Sequence, residues 1–327
     1  MNIPEHWQRD VPLTRLTSWR IGGTAAFLAH PRDWQQLHAD CELAARCDLP
    51  VFAIGAGSNL LFPETGYPGL LVRLPSGAVT AIDGRPVPPA HPAAAVERPG
   101  QSPAARPEES AGTLVRCPGG FPLSRLVRHA ARLGWAGLEW AEGIPGTVGG
   151  AIVNNAGAFG GEIGAVLESV EILTPPEAPR TLPAAQLDLA YRTSRLKGSE
   201  PTRLFLLSGC FHLAPGRPDA LGARMAEIRT LRRRNAPREP SCGSVFRNPP
   251  GHPAGRLIEE AGLSGMRIGD AQVSTRHANY IVNRGRATAR EVLELISIIR
   301  QRVRAHCGIE LELEVQPVGF GSEATAF

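Results

Sequence analysis

The chain has 327 residues, 43% of them hydrophobic, and a formal net charge of +4, which is enough chain for two domains of an ordinary globular protein. So small a charge, spread along the sequence and densest at Arg232-Arg233-Arg234, does not ask for a nucleic-acid partner, although guanidinium forks there suit a phosphate. No apolar run approaches the roughly 20 residues of a membrane span, and residues 1–11 lack the apolar core of a secretory signal. The six cysteines form no C-x-x-C pair, so free thiols, no metal site and a cytoplasmic location are expected.

Residues 33–48 predict an amphipathic helix, with Trp34, Leu37, Cys41 and Ala44 near one face. Val51-Phe52-Ala53-Ile54 predicts a buried strand that runs into a glycine-rich turn, and 69–74 predicts another strand. Residues 84–110 are dominated by Pro, Ala, Arg and Glu and bury too little to offset ordering entropy, so a flexible surface excursion is expected there. A helix is expected at 121–133, stopped by Gly134. Strands at 166–173 and 204–213 flank a loop bearing Tyr191-Arg192-Thr193-Ser194. A helix at 219–234 follows, then a Pro-rich segment and Cys242-Gly243-Ser244-Val245-Phe246. Thr288-x-x-Glu291 reads as a capping box that opens a helix with Val292, Leu295, Ile296, Ile299 and Val303 inward, closing at Gly308. The last strand expected, 309–315, sets Ile309, Leu311, Leu313 and Val315 on one face and Glu310, Glu312 and Glu314 on the other. The pattern is α+β, with domains expected at 1–214 and 215–327.

Two glycine tracts carry the first functional signal. In Gly55-Ala56-Gly57-Ser58-Asn59-Leu60-Leu61, glycines let the backbone turn tightly and approach a ligand, and successive N–H groups form an anion-binding nest. It is no dinucleotide fingerprint of the Rossmann kind, because Leu60 stands where a third glycine belongs. The second tract runs Glu142-Gly143-Ile144-Pro145-Gly146-Thr147-Val148-Gly149-Gly150-Ala151 and on to Asn154-Asn155-Ala156-Gly157-Ala158. One such loop reads as a plain turn or as close strand packing. Two in one domain favour a large nucleotide cofactor in some other fold.

Together GAGSNLL (55–61), EGIPGTVGGAIVNNAGAFGGEI (142–163), AYRTS (190–194), GSVFRNP (243–249) and LELEV (311–315) resemble, in order and over nearly the whole chain, the UDP-N-acetylenolpyruvoylglucosamine reductases. The resemblance implies an FAD domain of the vanillyl-alcohol-oxidase type, built of two subdomains, followed by a smaller α+β substrate domain. The first two motifs are shared with that wider flavoprotein group; the last three point to the reductase. Tyr191-Arg192 leads straight through Lys197 into the strand near Leu204, so the chain resembles the shorter type, which lacks a tyrosine capping loop. The family usually has Arg where Gln316 stands, which puts one local charge contact in doubt.

The same resemblance implies non-covalent FAD held by Gly55, Ala56, Gly57, Ser58, Asn59, Leu60, Gly119, Gly120, Ile144, Pro145, Gly146, Thr147, Gly149, Gly150, Asn155, Gly157 and Ala158, with NADPH as reductant. It implies UDP-N-acetylglucosamine enolpyruvate as substrate, contacted by Tyr191, Asn248 and Arg232, and UDP-N-acetylmuramate for peptidoglycan as product. No nucleic-acid or membrane partner is implied, and a monomer is expected. Arg192 would stabilise charge developing at the substrate carboxylate, Ser244 would supply a proton, and Glu314 would hydrogen-bond the enolate or orient the relay. Read alone, Arg192 is a surface arginine, Ser244 a turn residue and Glu314 a solvated carboxylate; the motifs reverse those readings. Two rivals stay open: another FAD oxidoreductase of the same superfamily, such as an alcohol oxidase, and a non-catalytic nucleotide-binding module.

Overall fold

The structure, a computed structural model, describes residues 3–82, 112–197 and 204–320; the excursion expected at 84–110 lies outside the described residues. The first unit comprises β1 (Trp7–Pro12), β2 (Thr24–Ala29), α1 (Trp34–Arg46), β3 (Val51–Ala53), β4 (Leu60–Leu61) and β5 (Tyr67–Val72). Its sheet has the order β1-β2-β5-β3, with β2, β5 and β3 parallel and β1 antiparallel at the edge. Asp33 caps α1 by accepting from the Gln36 amide at 2.8 Å. Leu37, Cys41 and Ala44 then pack on Val51, Leu70 and Val72 of the sheet. Trp34, expected on that inward face, is 38% exposed because it sits in the helix's first turn, beyond the sheet's cover.

The second unit holds β6 (Thr80–Ile82), β7 (Thr113–Pro118), α2 (Leu123–Arg132), β8 (Trp135–Ala136), α3 (Val148–Val153), β9 (Gly157–Ala158), β10 (Gly161–Glu162), β11 (Leu167–Leu173), β12 (Arg180–Pro183), β13 (Phe205–Pro215) and α4 (Pro218–Asn235). An antiparallel sheet of order β12-β11-β13-β7-β6 forms its base, with β8 on the far end of β13. The apolar stripe of α2, Leu123, Leu126, Val127 and Ala130, is buried in this core. So are Leu221 and Met225 of α4, although α4 follows the expected domain break. At about 1.5–3 kcal/mol for each large apolar side chain buried, that contact ties α4 to the unit before it.

The third unit consists of α5 (Ala254–Glu260), β14 (Arg267–Ile268), β15 (Ala271–Val273), β16 (Ile281–Asn283), α6 (Ala289–Cys307) and β17 (Gln316–Pro317). The capping box at Thr288 and Glu291 is formed, and α6 ends at Gly308 with φ 75, as a left-handed stop requires. Val292, Leu295, Ile296, Ile299 and Val303 bury against the β14-β15-β16 sheet, in a core that also takes Trp19, Ile21 and Leu61 from the first unit. Trp19 donates from Nε1 to the Ile281 carbonyl at 2.7 Å, and Asn283 Nδ2 donates back to the Trp19 carbonyl at 3.0 Å. The parallel pairing of β17 with β4 closes the same seam. Among the described residues no helix is long and apolar enough to cross a membrane.

The strand expected at 309–315 does not form as a ladder. It is an extended segment with one bridge, Leu313 to Phe246, and regular pairing begins only at Gln316. Its alternation therefore breaks: Glu312 is 75% exposed in its side chain while Glu314 is 18% exposed.

Candidate active site

A cavity of about 770 Å³ runs between the three units, within the roughly 300–1,000 Å³ usual for cofactor and ligand pockets. One wall is paved by Gly55, Ala56, Gly57, Ser58, Asn59 and Leu60, by Gly119 and Gly120, and by Ile144, Pro145, Gly146, Thr147, Gly149, Gly150, Gly157 and Ala158. At two of these glycines the packing leaves no room for a side chain. Gly57 sits at φ +61, and a Cβ on it would lie 2.1 Å from the Leu16 carbonyl oxygen; on Gly119 it would lie 2.0 Å from that of Leu206. Thr147 Oγ1 accepts from the Gly150 amide at 3.3 Å, which starts the short helix α3 inside the second glycine tract. Arg15, Arg73, Arg192, Lys197 and Arg232 line the cavity against one carboxylate, Glu314. A long, glycine-paved, cationic cavity of this kind fits an extended, negatively charged dinucleotide such as FAD.

Asn155 does not line the cavity. It is 1% exposed, donates from Nδ2 to the Ala190 carbonyl at 3.0 Å and accepts from the Gly164 amide at 2.9 Å. It anchors the turn that carries Arg192. In that turn Ala190 and Thr193 exchange backbone hydrogen bonds of 3.1 Å, and Arg192 adopts φ 57. A non-glycine residue is held in the left-handed region only where its surroundings insist on it. Here Lys197 Nζ and Arg247 Nη2 both donate to the Arg192 carbonyl, at 3.2 and 3.4 Å.

The opposite end of the cavity is built from three extended segments. Ser244 follows Gly243, whose φ is 87. Just beyond it, the Val245 amide donates to the Asn279 carbonyl at 2.8 Å, and the Val245 carbonyl accepts from the Glu314 amide at 2.8 Å. The buried Asn279 side chain mimics a further strand, accepting from the Phe246 amide at 2.9 Å and donating to the Phe246 carbonyl at 2.8 Å. Asn59 Nδ2 donates to the Glu314 carbonyl at 3.0 Å, which fastens the first glycine loop to the same construction. Ser244, Glu314 and Tyr280 thus enter the cavity from neighbouring strands of backbone.

Arg192 Nε lies 2.9 Å from Glu314 Oε1, but its N–H does not point along that line and has no hydrogen-bond partner among the described residues. The contact is an ion pair, and the buried N–H has no acceptor among the described residues. Burial raises the Glu314 pKa above the usual carboxylate value, against the pull of Arg192, Lys197 and Arg247. Burial, then the Arg247 charge, lowers that of Lys197, with Arg192 adding to the effect and Glu314 opposing it. Arg232 keeps Nε and Nη2 buried without partners among the described residues, and its guanidinium stacks 5.1 Å from the Phe159 ring centroid. Burial also raises the Tyr280 pKa and that of Cys242, so both are protonated at neutral pH.

Of the residues tied to substrate by resemblance, Arg232 lines the cavity, while Tyr191 and Asn248 do not. Tyr191 is 49% exposed, and its hydroxyl accepts from the Asn248 amide at 3.3 Å. The Asn248 side chain is occupied at the start of α5, accepting from the Ala254 amide at 2.9 Å. Sequence reasoning missed Lys197, Tyr280 and Asn279. Lys197 follows the motif that begins at Tyr191, and that proximity was its available signal; Tyr280 and Asn279 sit in RHANYIVN, where local pattern singles out neither.

The chain is similar to known proteins over nearly its whole length. A family model described as the UDP-N-acetylenolpyruvoylglucosamine reductase C-terminal domain matches residues 235–318, and one described as an FAD binding domain matches 106–178. The UDP-N-acetylenolpyruvoylglucosamine reductase of Chloroflexus aggregans is 39% identical over 97% of this chain and 99% of its own. That of Synechococcus sp. strain CC9605 is 43% identical over 97% of both. The solved UDP-N-acetylenolpyruvylglucosamine reductase from Thermus caldophilus superposes with a TM-score of 0.73 at 32% identity, covering 95% of this chain and 98% of that one. With paired FAD-domain and C-terminal matches, end-to-end relatives and a shared fold, this chain belongs to the UDP-N-acetylenolpyruvoylglucosamine reductase family.

Proposed function

We propose that the protein reduces UDP-N-acetylglucosamine enolpyruvate to UDP-N-acetylmuramate for peptidoglycan synthesis in the cytoplasm, with NADPH as reductant. One observation carries the reading: Arg192, Ser244 and Glu314, from three distant stretches of sequence, line the same cavity as the two glycine-rich tracts. Bound FAD would take hydride from NADPH and pass it to the vinyl carbon of the enolpyruvyl ether. The glycine-paved wall would hold that cofactor, and the arginine end would receive the substrate.

The protein's own task is then to manage charge and one proton. Arg192, which lines the cavity, would bind the substrate carboxylate, where charge develops as the vinyl carbon is reduced. Lys197 adds a second cation nearby, and preorganised charges of this kind are worth about 10²–10³-fold in rate each. Ser244 donates from Oγ to the carbon beside the carboxylate. Serine is a weak acid, so its conjugate base needs the surrounding cations and a group that returns the proton. Glu314 is suited to that return, because burial raises its pKa toward the working range. Arg232, with unpaired nitrogens over Phe159, faces the anionic remainder of the substrate. Every one of these groups comes from a single chain.

The reading is tested by supplying FAD-loaded protein with NADPH and UDP-N-acetylglucosamine enolpyruvate and identifying the product by mass spectrometry. NADPH consumption that matches formation of UDP-N-acetylmuramate is expected. Consumption that proceeds equally without the nucleotide sugar, with uptake of oxygen, would assign the site to an oxidase instead.

A further inference from the structure

Arg73 lines the cavity, and the chemistry above leaves this cation idle. Arg73 follows directly on β5, at the carboxyl end of a strand with parallel neighbours on both sides. Such strand ends are where sheets of this kind receive ligands. Ala53 pairs with Val72, and the Ile54 amide donates to the Val72 carbonyl at 2.8 Å. The glycine loop that starts at Gly55 therefore leaves its strand beside Arg73. The Arg73 amide donates to the Ala29 carbonyl at 3.0 Å, which fixes the backbone from which the side chain reaches the cavity.

That side chain lacks the partner a half-buried charge requires. It lines the cavity, and its Nε is buried with no hydrogen-bond partner among the described residues. Burial alone lowers its pKa, with no carboxylate acting to raise it. His30, which Arg73 influences, is held toward the neutral form, first by burial and then by the Arg73 charge, and a histidine, neutral or cationic, offers no counter-charge. A desolvated guanidinium without a counter-charge is costly unless a ligand brings one. The glycine loop beside it offers backbone N–H groups, which suit the same kind of anion.

We propose that Arg73 is a ligand of the FAD diphosphate, gripping phosphate oxygens from the strand end while the glycine loop contacts the other side. The proposal rests on the cofactor reading above and adds to it a residue that none of the motifs contains. The grip is a charge-assisted hydrogen bond, so it shows in affinity for the cofactor and not in the chemistry at Ser244.

The test is flavin binding to the apoprotein, followed by fluorescence quenching, for wild type, R73Q and R73K. FAD affinity is expected to fall about ten- to a hundredfold in R73Q and to recover in part in R73K. Riboflavin, which has no phosphate, is expected to bind all three alike. The ³¹P resonances of the bound diphosphate are expected to move in R73Q while the visible flavin spectrum does not. Unchanged FAD affinity and ³¹P resonances would overturn the proposal, as would equal losses for FAD and riboflavin, which would mean that Arg73 only supports the fold. A loss confined to NADPH binding would also overturn it and assign the cation to the nicotinamide nucleotide. Wild-type apoprotein that binds no FAD would remove the cofactor reading itself, an outcome distinct from the others.

Discussion

Arg192 shows what a single residue contributes that its neighbours cannot. It occupies a left-handed turn position, φ 57, at a cost that a glycine would avoid, so its side chain is what the site retains it for. Lysine at that position would keep the charge but lose the planar fork. R192K is expected to slow reoxidation of reduced flavin by substrate about ten- to a hundredfold, measured by stopped-flow absorbance. Near-normal reoxidation would count against carboxylate binding by the guanidinium. Glu314 carries a cost of a different kind. Its folded pKa is raised, so folding favours the neutral acid, and the associated stability is complete below the ordinary carboxylate range and is lost as pH rises through the folded value. Wild type should therefore lose stability relative to E314Q as the pH climbs from that range toward neutrality, as urea denaturation of both proteins would show. A difference that stays flat or runs the other way would contradict the assigned environment. Neither residue was legible from its own pattern. Alternation grouped Glu314 with Glu310 and Glu312 on a wet face, and only the motif context separated it. The physical reason is that residues 309–315 run extended without a regular ladder, so alternation along them does not predict which side chains meet water.

Elements with strong periodicity were legible in the sequence, and those whose form depends on tertiary contact were not. The helix α6 carries its capping box, its apolar stripe and its glycine stop in the sequence, and all three are present. The helix α3 has two glycines in six residues, Val148–Val153, a composition that argues against helix. It forms because Thr147 caps it and because the Gly149 amide donates to the Gly119 carbonyl at 2.8 Å. The helix α4 was foreseen, but its allegiance was not, since the burial of Leu221 and Met225 in the second unit leaves no trace in local pattern. We propose that the substrate-binding unit begins after α4 and not at residue 215. Asn279 is the least legible of all, a polar residue at a buried position whose value lies in its two bonds to the Phe246 backbone. N279A would leave two buried backbone groups unpaired, and a loss of about 2–4 kcal/mol of stability is expected. Because Phe246 is two residues from Ser244, the same variant should slow flavin reoxidation by substrate more than flavin reduction by NADPH. Equal slowing of both would mean that Asn279 supports the fold without positioning the serine.

At the scale of the whole molecule the cavity is an electrostatic object. Among the described residues five cations and one carboxylate line it, although the chain as a whole carries only +4. Overall charge therefore says little about the ligand, and placement says a great deal. That placement depends on the seam between the first and third units. Trp19 donates there to the Ile281 carbonyl and accepts at its own carbonyl from Asn283, β17 pairs with β4, and the Glu64 carboxylate accepts from the Ala289 amide at the start of α6. The seam fixes the position of the glycine wall relative to Ser244, and so, on the proposed function, of a bound flavin relative to that serine. The measurement that tests this arrangement most directly is anaerobic. FAD-loaded wild type and S244A are each reduced with one equivalent of NADPH, then mixed with UDP-N-acetylglucosamine enolpyruvate while the flavin spectrum is followed. Equal reduction of both proteins is expected, with prompt reoxidation of wild type and reoxidation of S244A slower by about a hundredfold or more. Wild-type flavin that stays reduced in the presence of the substrate, or S244A reoxidised as fast as wild type, would contradict the proposed function.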